Sequence, residues 1–130
     1  MTFFAERFSN QTYALLRFVT GFLFLWHGTN KVFGFPKPYT HELPAHILYV
    51  AGPIELIGGV LVAIGLFTRP TAFLCSGLMA FAYWMAHAPK DSLPILNNGD
   101  LSILYCFVFL FISAYGPGIW SVDSWRQKQR

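Results

Sequence analysis

Six ionisable side chains fall inside otherwise apolar stretches of this sequence: Arg17, His27, Lys31, Glu55, His87 and Asp100. Each costs at least a few kcal/mol to place in a hydrocarbon environment, so each should face the interior or lie close enough to a helix end to reach water. The types present suit proton exchange. Histidine titrates near neutrality, and a buried carboxylate beside it can share or pass on a proton. Set against apolar walls, such groups would hold a flat amphipathic molecule by its ring and exchange protons with its polar atoms.

The spacing groups these residues on common faces. Arg17, Gly21, Phe24, Gly28 and Lys31 recur at helical intervals, with His27 at the border of that face. Glu55 lies in a small-residue stripe with Ala51, Gly59 and Ala63, which allows close approach of a neighbouring helix. Ser76, Ala80, Tyr83 and His87 align on a third stretch, and Asn98, Ser102 and Tyr105 on a fourth. With a rise of roughly 1.5 Å per residue, His27 lies about 21 Å, Glu55 about 18 Å, His87 about 25 Å and Asp100 about 22 Å from one common end. Lys31 stands just above that level, and Arg17 stands apart, only about 6 Å from that same end. The candidate pocket residues are therefore His27, Lys31, Glu55, Tyr83, His87, Asn98, Asp100 and Tyr105.

Four apolar runs must carry them, over about 13–33, 46–67, 70–88 and 99–115. Each is close to the roughly 17–25 residues that a helix needs to cross a bilayer. The runs are continuous rather than alternating, which argues against strands. Gly34 to Pro38 ends the first run, Gly65 and Pro70 frame a tight second connection, Pro89 to Pro94 forms the third, and Gly116-Pro117-Gly118 stops the fourth run. Trp120 and Trp125 follow as interfacial anchors before a polar tail. The first run is too long for a cleaved signal peptide, and no small-x-small site follows it.

Composition agrees. Residues of the AVILMFWYC set make up 55% of the 130, and charged residues only 12%, against roughly 25% in a soluble domain. Mean hydropathy is +0.46. So short a soluble chain has too little interior to hide that much apolar surface. The expected fold is thus all-α: a single polytopic membrane domain over 1–130, a four-transmembrane-helix bundle in contact with the lipid bilayer. Counting Lys and Arg, the side with both termini holds Arg7, Arg69, Arg126, Lys128 and Arg130, and the other holds Lys31, Lys37 and Lys90. That bias places both termini in the cytoplasm.

Plainer roles compete with the chemical ones. Glu55 can serve only to pair with His27 or Lys31 across helices. Arg17 reads first as a side chain that snorkels to lipid phosphate. His41 and His46 read as loop or helix-start residues. Cys75 and Cys106 lie in apolar runs without metal-type spacing and read as reduced buried thiols. No metal site is expected, because His27, Glu55 and His87 lack local ligand spacing. The scattered basic residues do not suggest nucleic acid.

The same residues carry a resemblance. Leu15-Leu16-Arg17, Phe24-Leu25-Trp26-His27-Gly28 and Lys31-Val32-Phe33-Gly34 resemble the first helix of DoxX proteins. Glu55-Leu56-Ile57-Gly58-Gly59 and Gly65-Leu66-Phe67-Thr68-Arg69 are similar to the second helix and its turn. His87, Asn98-Gly99-Asp100-Leu101 and Tyr105 resemble the third loop and fourth helix. Gly116 to Asp123 resembles the closing motif, so the likeness runs nearly the whole chain. Many family members carry Glu where this chain has Asp100, whose reach is one methylene shorter. The resemblance implies a bacterial inner-membrane protein, and relatives are linked to thiosulfate:quinone oxidoreductase, terminal oxidase complexes and redox-stress assemblies.

The function expected from both lines is a membrane subunit or accessory protein in quinone-linked electron transfer or redox homeostasis. A quinone is the candidate ligand, and redox proteins or further copies of the chain are the candidate partners. The alternatives are a non-enzymatic assembly or chaperone-like membrane protein and a small-solute or lipid carrier. Whether the chain is itself an enzyme stays open at this point.

Overall fold

The computed structural model describes residues 3–130. Among them the chain is all-helical. A 3-10 turn at Phe4–Phe8 leads into α1 (Ser9–Phe33). After an irregular segment, a π turn at Ile47–Ala51 opens α2 (Gly52–Ile64). Next come α3 (Thr68–Ala82), a π turn at Tyr83–His87, and the single turn α4 (Pro94–Asn97). The chain ends with α5 (Asp100–Tyr115) and α6 (Val122–Lys128).

Gly65 closes α2 at φ +71°, in the left-handed region that glycine enters without a Cβ penalty. Its N–H donates to the Val62 carbonyl. Pro70 falls in the first turn of α3, where a missing N–H leaves no gap in the helical ladder. The π turns were not foreseen, nor were α4 and α6. Each π turn runs up to a proline, Pro53 or Pro89. A proline ring crowds the carbonyl four residues back, and widening the turn relieves that contact.

Helices α1 and α2 pack closely because their facing residues are small. A Cβ on Gly59 would stand 2.6 Å from the Leu25 nitrogen, and one on Gly21 would stand 2.5 Å from the Ala63 nitrogen. The Ala51-Gly59-Ala63 stripe therefore packs within the chain, against α1. Helix α3 packs chiefly on α5, and the two pairs meet around a core of Phe24, Val62, Cys75, Met79, Tyr105, Phe109 and Ile112. Cys75 and Cys106 are free thiols, the first buried and the second half-buried.

Among the described residues one helix, Ile47–Ile64, is long and apolar enough by itself to cross a membrane; α5 is apolar but shorter. The outer surface is nevertheless greasy. Phe18, Phe22, Leu23, Phe73, Leu74, Phe81, Phe107 and Phe111 are all exposed.

Candidate functional site

Where α1 ends and α2 begins, Lys31 Nζ donates to Glu55 Oε2 at 2.6 Å. The Glu55 side chain is only 4% exposed. The pair borders a cavity of about 340 Å³ with predominantly apolar walls, among them Phe24, Leu78 and Met79. His27, His87, Asn98 and Tyr105 border the same space. Six of the eight expected pocket residues thus meet here: His27, Lys31, Glu55, His87, Asn98 and Tyr105.

Both π turns contribute to the lining, through Ile47 and Ala51 on one side and Ala86 and His87 on the other. A widened turn shifts side chains off the regular helical register, which is how such turns come to line sites. His27 lies on the α5 flank of α1, its ring edge-on to Tyr105 at 5.9 Å between centroids. It is exposed on its other side, so it stands where the α1–α5 seam opens.

His87 is oriented by its surroundings. Its Nδ1 lies 2.9 Å from the Asn97 carbonyl oxygen. A carbonyl only accepts, so Nδ1 carries the proton and, in the neutral ring, Nε2 is left as an acceptor. Asn97, 1% exposed, organises this loop. Its Nδ2 donates to the Asp91 carbonyl at 2.9 Å, and its Oδ1 accepts from the Gly99 N–H at 2.8 Å. The sequence reading passed over Asn97 for its neighbour Asn98. The available signal was the Asn-Asn-Gly run, where one asparagine takes the left-handed conformation (Asn98, φ +57°) and the other ties the loop.

Two expected pocket residues lie elsewhere. Tyr83 stands behind His87, its ring 6.4 Å from the imidazole and its hydroxyl 3.4 Å from Asn97 Nδ2. Asp100 is exposed in the first turn of α5. Depth alone placed it in the pocket, but five residues on a helix put it about 140° round from Tyr105. Its position suits the positive end of the helix dipole instead.

Arg17 needs a larger correction. It is 1% exposed and does not reach toward lipid phosphate. Its Nε donates to the Val62 carbonyl at 3.2 Å, and its terminal nitrogens donate to the carbonyls of Pro117, Ile119 (3.1 Å) and Trp120 (2.8 Å). The Gly116–Trp120 segment turns back over α1, so the guanidinium meets backbone before it can meet solvent. Tyr13 does the same with its hydroxyl, which donates to the Gly116 carbonyl at 2.5 Å.

Arg69 and Asp123 complete this end. Arg69 donates to the carbonyls of Ser113 (3.0 Å), Ala114 (2.5 Å) and Tyr115 (3.2 Å), closing the last turn of α5. Asp123 accepts from the N–H groups of Phe67 (3.0 Å) and Thr68 (2.9 Å) and from the Thr68 hydroxyl (2.9 Å). Burial opposes its ionisation, but those hydrogen bonds and the nearby Arg126 charge prevail and hold its carboxyl below the usual carboxylate range.

The geometry defines a helical protein with an apolar-walled cavity edged by ionisable groups and one end tied by arginine–carbonyl contacts. The DoxX family model matches residues 12–88, from the first turn of α1 to just past His87. The chain belongs to the DoxX family, a family of membrane-associated proteins. It is 40% identical over 125 residues to an uncharacterised protein of Haemophilus influenzae, covering 92% of this chain and 93% of that one. It is 31% identical over 113 residues to a Bacillus subtilis protein with the printed name "Putative oxidoreductase CatD", covering 84% and 82%. No solved structure matches the chain significantly.

Proposed function

We propose that this chain is a bacterial inner-membrane protein that crosses the bilayer four times, with both termini cytoplasmic, and serves as a subunit or accessory protein in quinone-linked electron transfer or redox homeostasis. The membrane reading rests on family membership, on the exposed Phe and Leu side chains, and on the excess of Lys and Arg at the end that holds both termini. The redox reading draws on the oxidoreductase name of the Bacillus relative.

One observation carries the choice of ligand. A cavity of about 340 Å³ with apolar walls presents ionisable groups from α1, α2 and the end of α3. That volume lies at the lower end of the roughly 300–1,000 Å³ typical of small-molecule sites and suits a single ring. Phe24, Leu78 and Met79 would flank the ring, while Lys31, Tyr105 and the histidines would meet its oxygens. Reduction of a quinone to a quinol consumes two electrons and two protons. Glu55, His27 and His87 are the groups able to exchange those protons, and a redox partner protein would bring the electrons.

The test is extraction and mass spectrometry of the detergent-purified protein. Wild type should carry a quinone, and Glu55→Gln, which keeps the side-chain volume, should retain at least about tenfold less, the change that 1.4 kcal/mol produces. A folded wild type free of quinone, or equal occupancy in the variant, overturns the reading.

The Lys31–Glu55 pair also ties α1 to α2, and that favours a second reading, a non-enzymatic assembly protein. Stable co-purification of a soluble partner with no small molecule present would select it.

A further inference from the structure

Lys31 borders two separate spaces. One is the inner cavity. The other is a vestibule of about 460 Å³ between the end of α1 and the 34–46 segment, bordered by Asn30, Tyr39, Glu42 and Tyr49 among others. Among the described residues no other side chain borders both. The Lys31 side chain is 16% exposed while that of Glu55 is 4% exposed, so the ion pair lies across a wet-to-dry boundary. Glu42, on the vestibule side, is exposed.

We infer that Lys31 is a movable partition between the inner cavity and the outer aqueous face, its ammonium exchanging between Glu55 inside and Glu42 outside. This deepens the reading of the inner cavity as the ligand site and rests on it. When the ammonium leaves, Glu55 is buried without a counter-charge, which is costly unless it takes up a proton. Vestibule water supplies that proton. Return of Lys31 favours the carboxylate again, and the proton passes to an oxygen of the bound ligand. One proton enters from water, one leaves to the ligand, and no electron moves. His27, His87 and Tyr105 are the other titratable groups around the cavity, and Lys31 acts through Glu55 as a positioning residue.

The test uses the full chain in phosphatidylcholine vesicles, with Cys75→Ala and Cys106→Ala, and Met79→Cys as the reporter. Met79 borders the inner cavity and is 5% exposed. A charged, membrane-impermeant methanethiosulfonate is applied to the face that carries the 34–46 segment. The reporter should be labelled slowly while Lys31 is present. Lys31→Ala should raise the rate at least about tenfold, equivalent to 1.4 kcal/mol of lost closed-state preference. Glu55→Gln, which frees the lysine without removing it, should raise the rate as well, and carries the test if Lys31→Ala fails to fold. Equal rates in the parent and either folded variant overturn the inference. Labelling needs no quinone, so an empty protein with the stated labelling pattern would remove the ligand assignment alone, and a quinone-loaded protein with equal rates would remove the partition alone.

Discussion

Arg17 and Glu55 are both buried charges, 1% and 3% exposed, toward opposite ends of the α1–α2 pair. Arg17 donates to four backbone carbonyls, and Arg69 nearby donates to three more. Glu55 accepts one hydrogen bond, from Lys31, and faces an open cavity. A charge whose hydrogen-bonding capacity is filled by backbone is fixed and holds the fold. A charge with one side-chain partner and empty space beside it is held less tightly, and such groups gather at functional sites. One end is therefore a brace, and the other is the site proposed for the chemistry.

The largest expected effect falls on the brace. Arg17→Ala leaves the carbonyls of Pro117, Ile119 and Trp120 without their side-chain donor and Val62 with the Gly65 N–H alone. With hydrogen bonds to a charged group worth about 1.5–3 kcal/mol each, the loss should be upward of about 3 kcal/mol. Thermal unfolding in detergent should show a lowered midpoint or failure to accumulate folded protein. Arg17→Lys should recover only part of it, since one ammonium cannot reproduce the planar fork. If Arg17→Ala melts like wild type, this end does not hold the fold as described.

Next is the seam between α1 and α2, which serves both ends. A Cβ at Gly59 meets the Leu25 nitrogen and the Gly21 carbonyl oxygen at 2.6 and 2.8 Å. Those contacts are backbone, so the helices themselves must separate. Gly59→Ala should cost about 1–3 kcal/mol by overpacking, read in the same melt. It should also lower quinone retention, because spreading the helices draws Lys31 away from Glu55.

The sequence revealed the two ends unequally. Lys31, Glu55, His27 and Tyr105 could be grouped because regular helical spacing and apolar surroundings constrain where a charge can go. The role of Arg17 could not be read, because three of its four partners are carbonyls of the 117–120 segment, a hundred residues away, and backbone acceptors leave no mark in residue types. Asp100 was misplaced for a different reason. Rise per residue gives depth, but the direction a side chain faces also depends on which face of α5 is buried, and Tyr105, Phe109 and Ile112 define that face. The π turns escaped as well. A proline marks each one, yet proline within a helix signals a kink, a stop or a first turn equally well.

A smaller effect separates the brace by pH. The folded-state value of Asp123 is depressed, so its contribution is present above the unfolded carboxylate value, about 3.9, and is lost as pH falls through the lower folded value. Asp123→Asn should cost about 0.3–1 kcal/mol at neutral pH, the usual range for losing a negative charge at a helix start. The gap to wild type should shrink as the medium is acidified below about pH 4. A gap of constant size across that range would assign the loss to shape rather than charge.

A last small effect lies outside both ends. Gly77 is exposed on α3, and a Cβ there would meet nothing within 4 Å. Glycine inside a helix is less favourable than alanine by roughly 0.5–1 kcal/mol, because the unfolded chain has more freedom to lose. Gly77→Ala should therefore raise the melting midpoint slightly while leaving quinone retention and reporter labelling as in the parent. A Gly77→Ala variant that lowers stability would show that α3 meets a neighbour there, and the exposed face of α3 would then be an interface between copies of the chain rather than a surface for lipid.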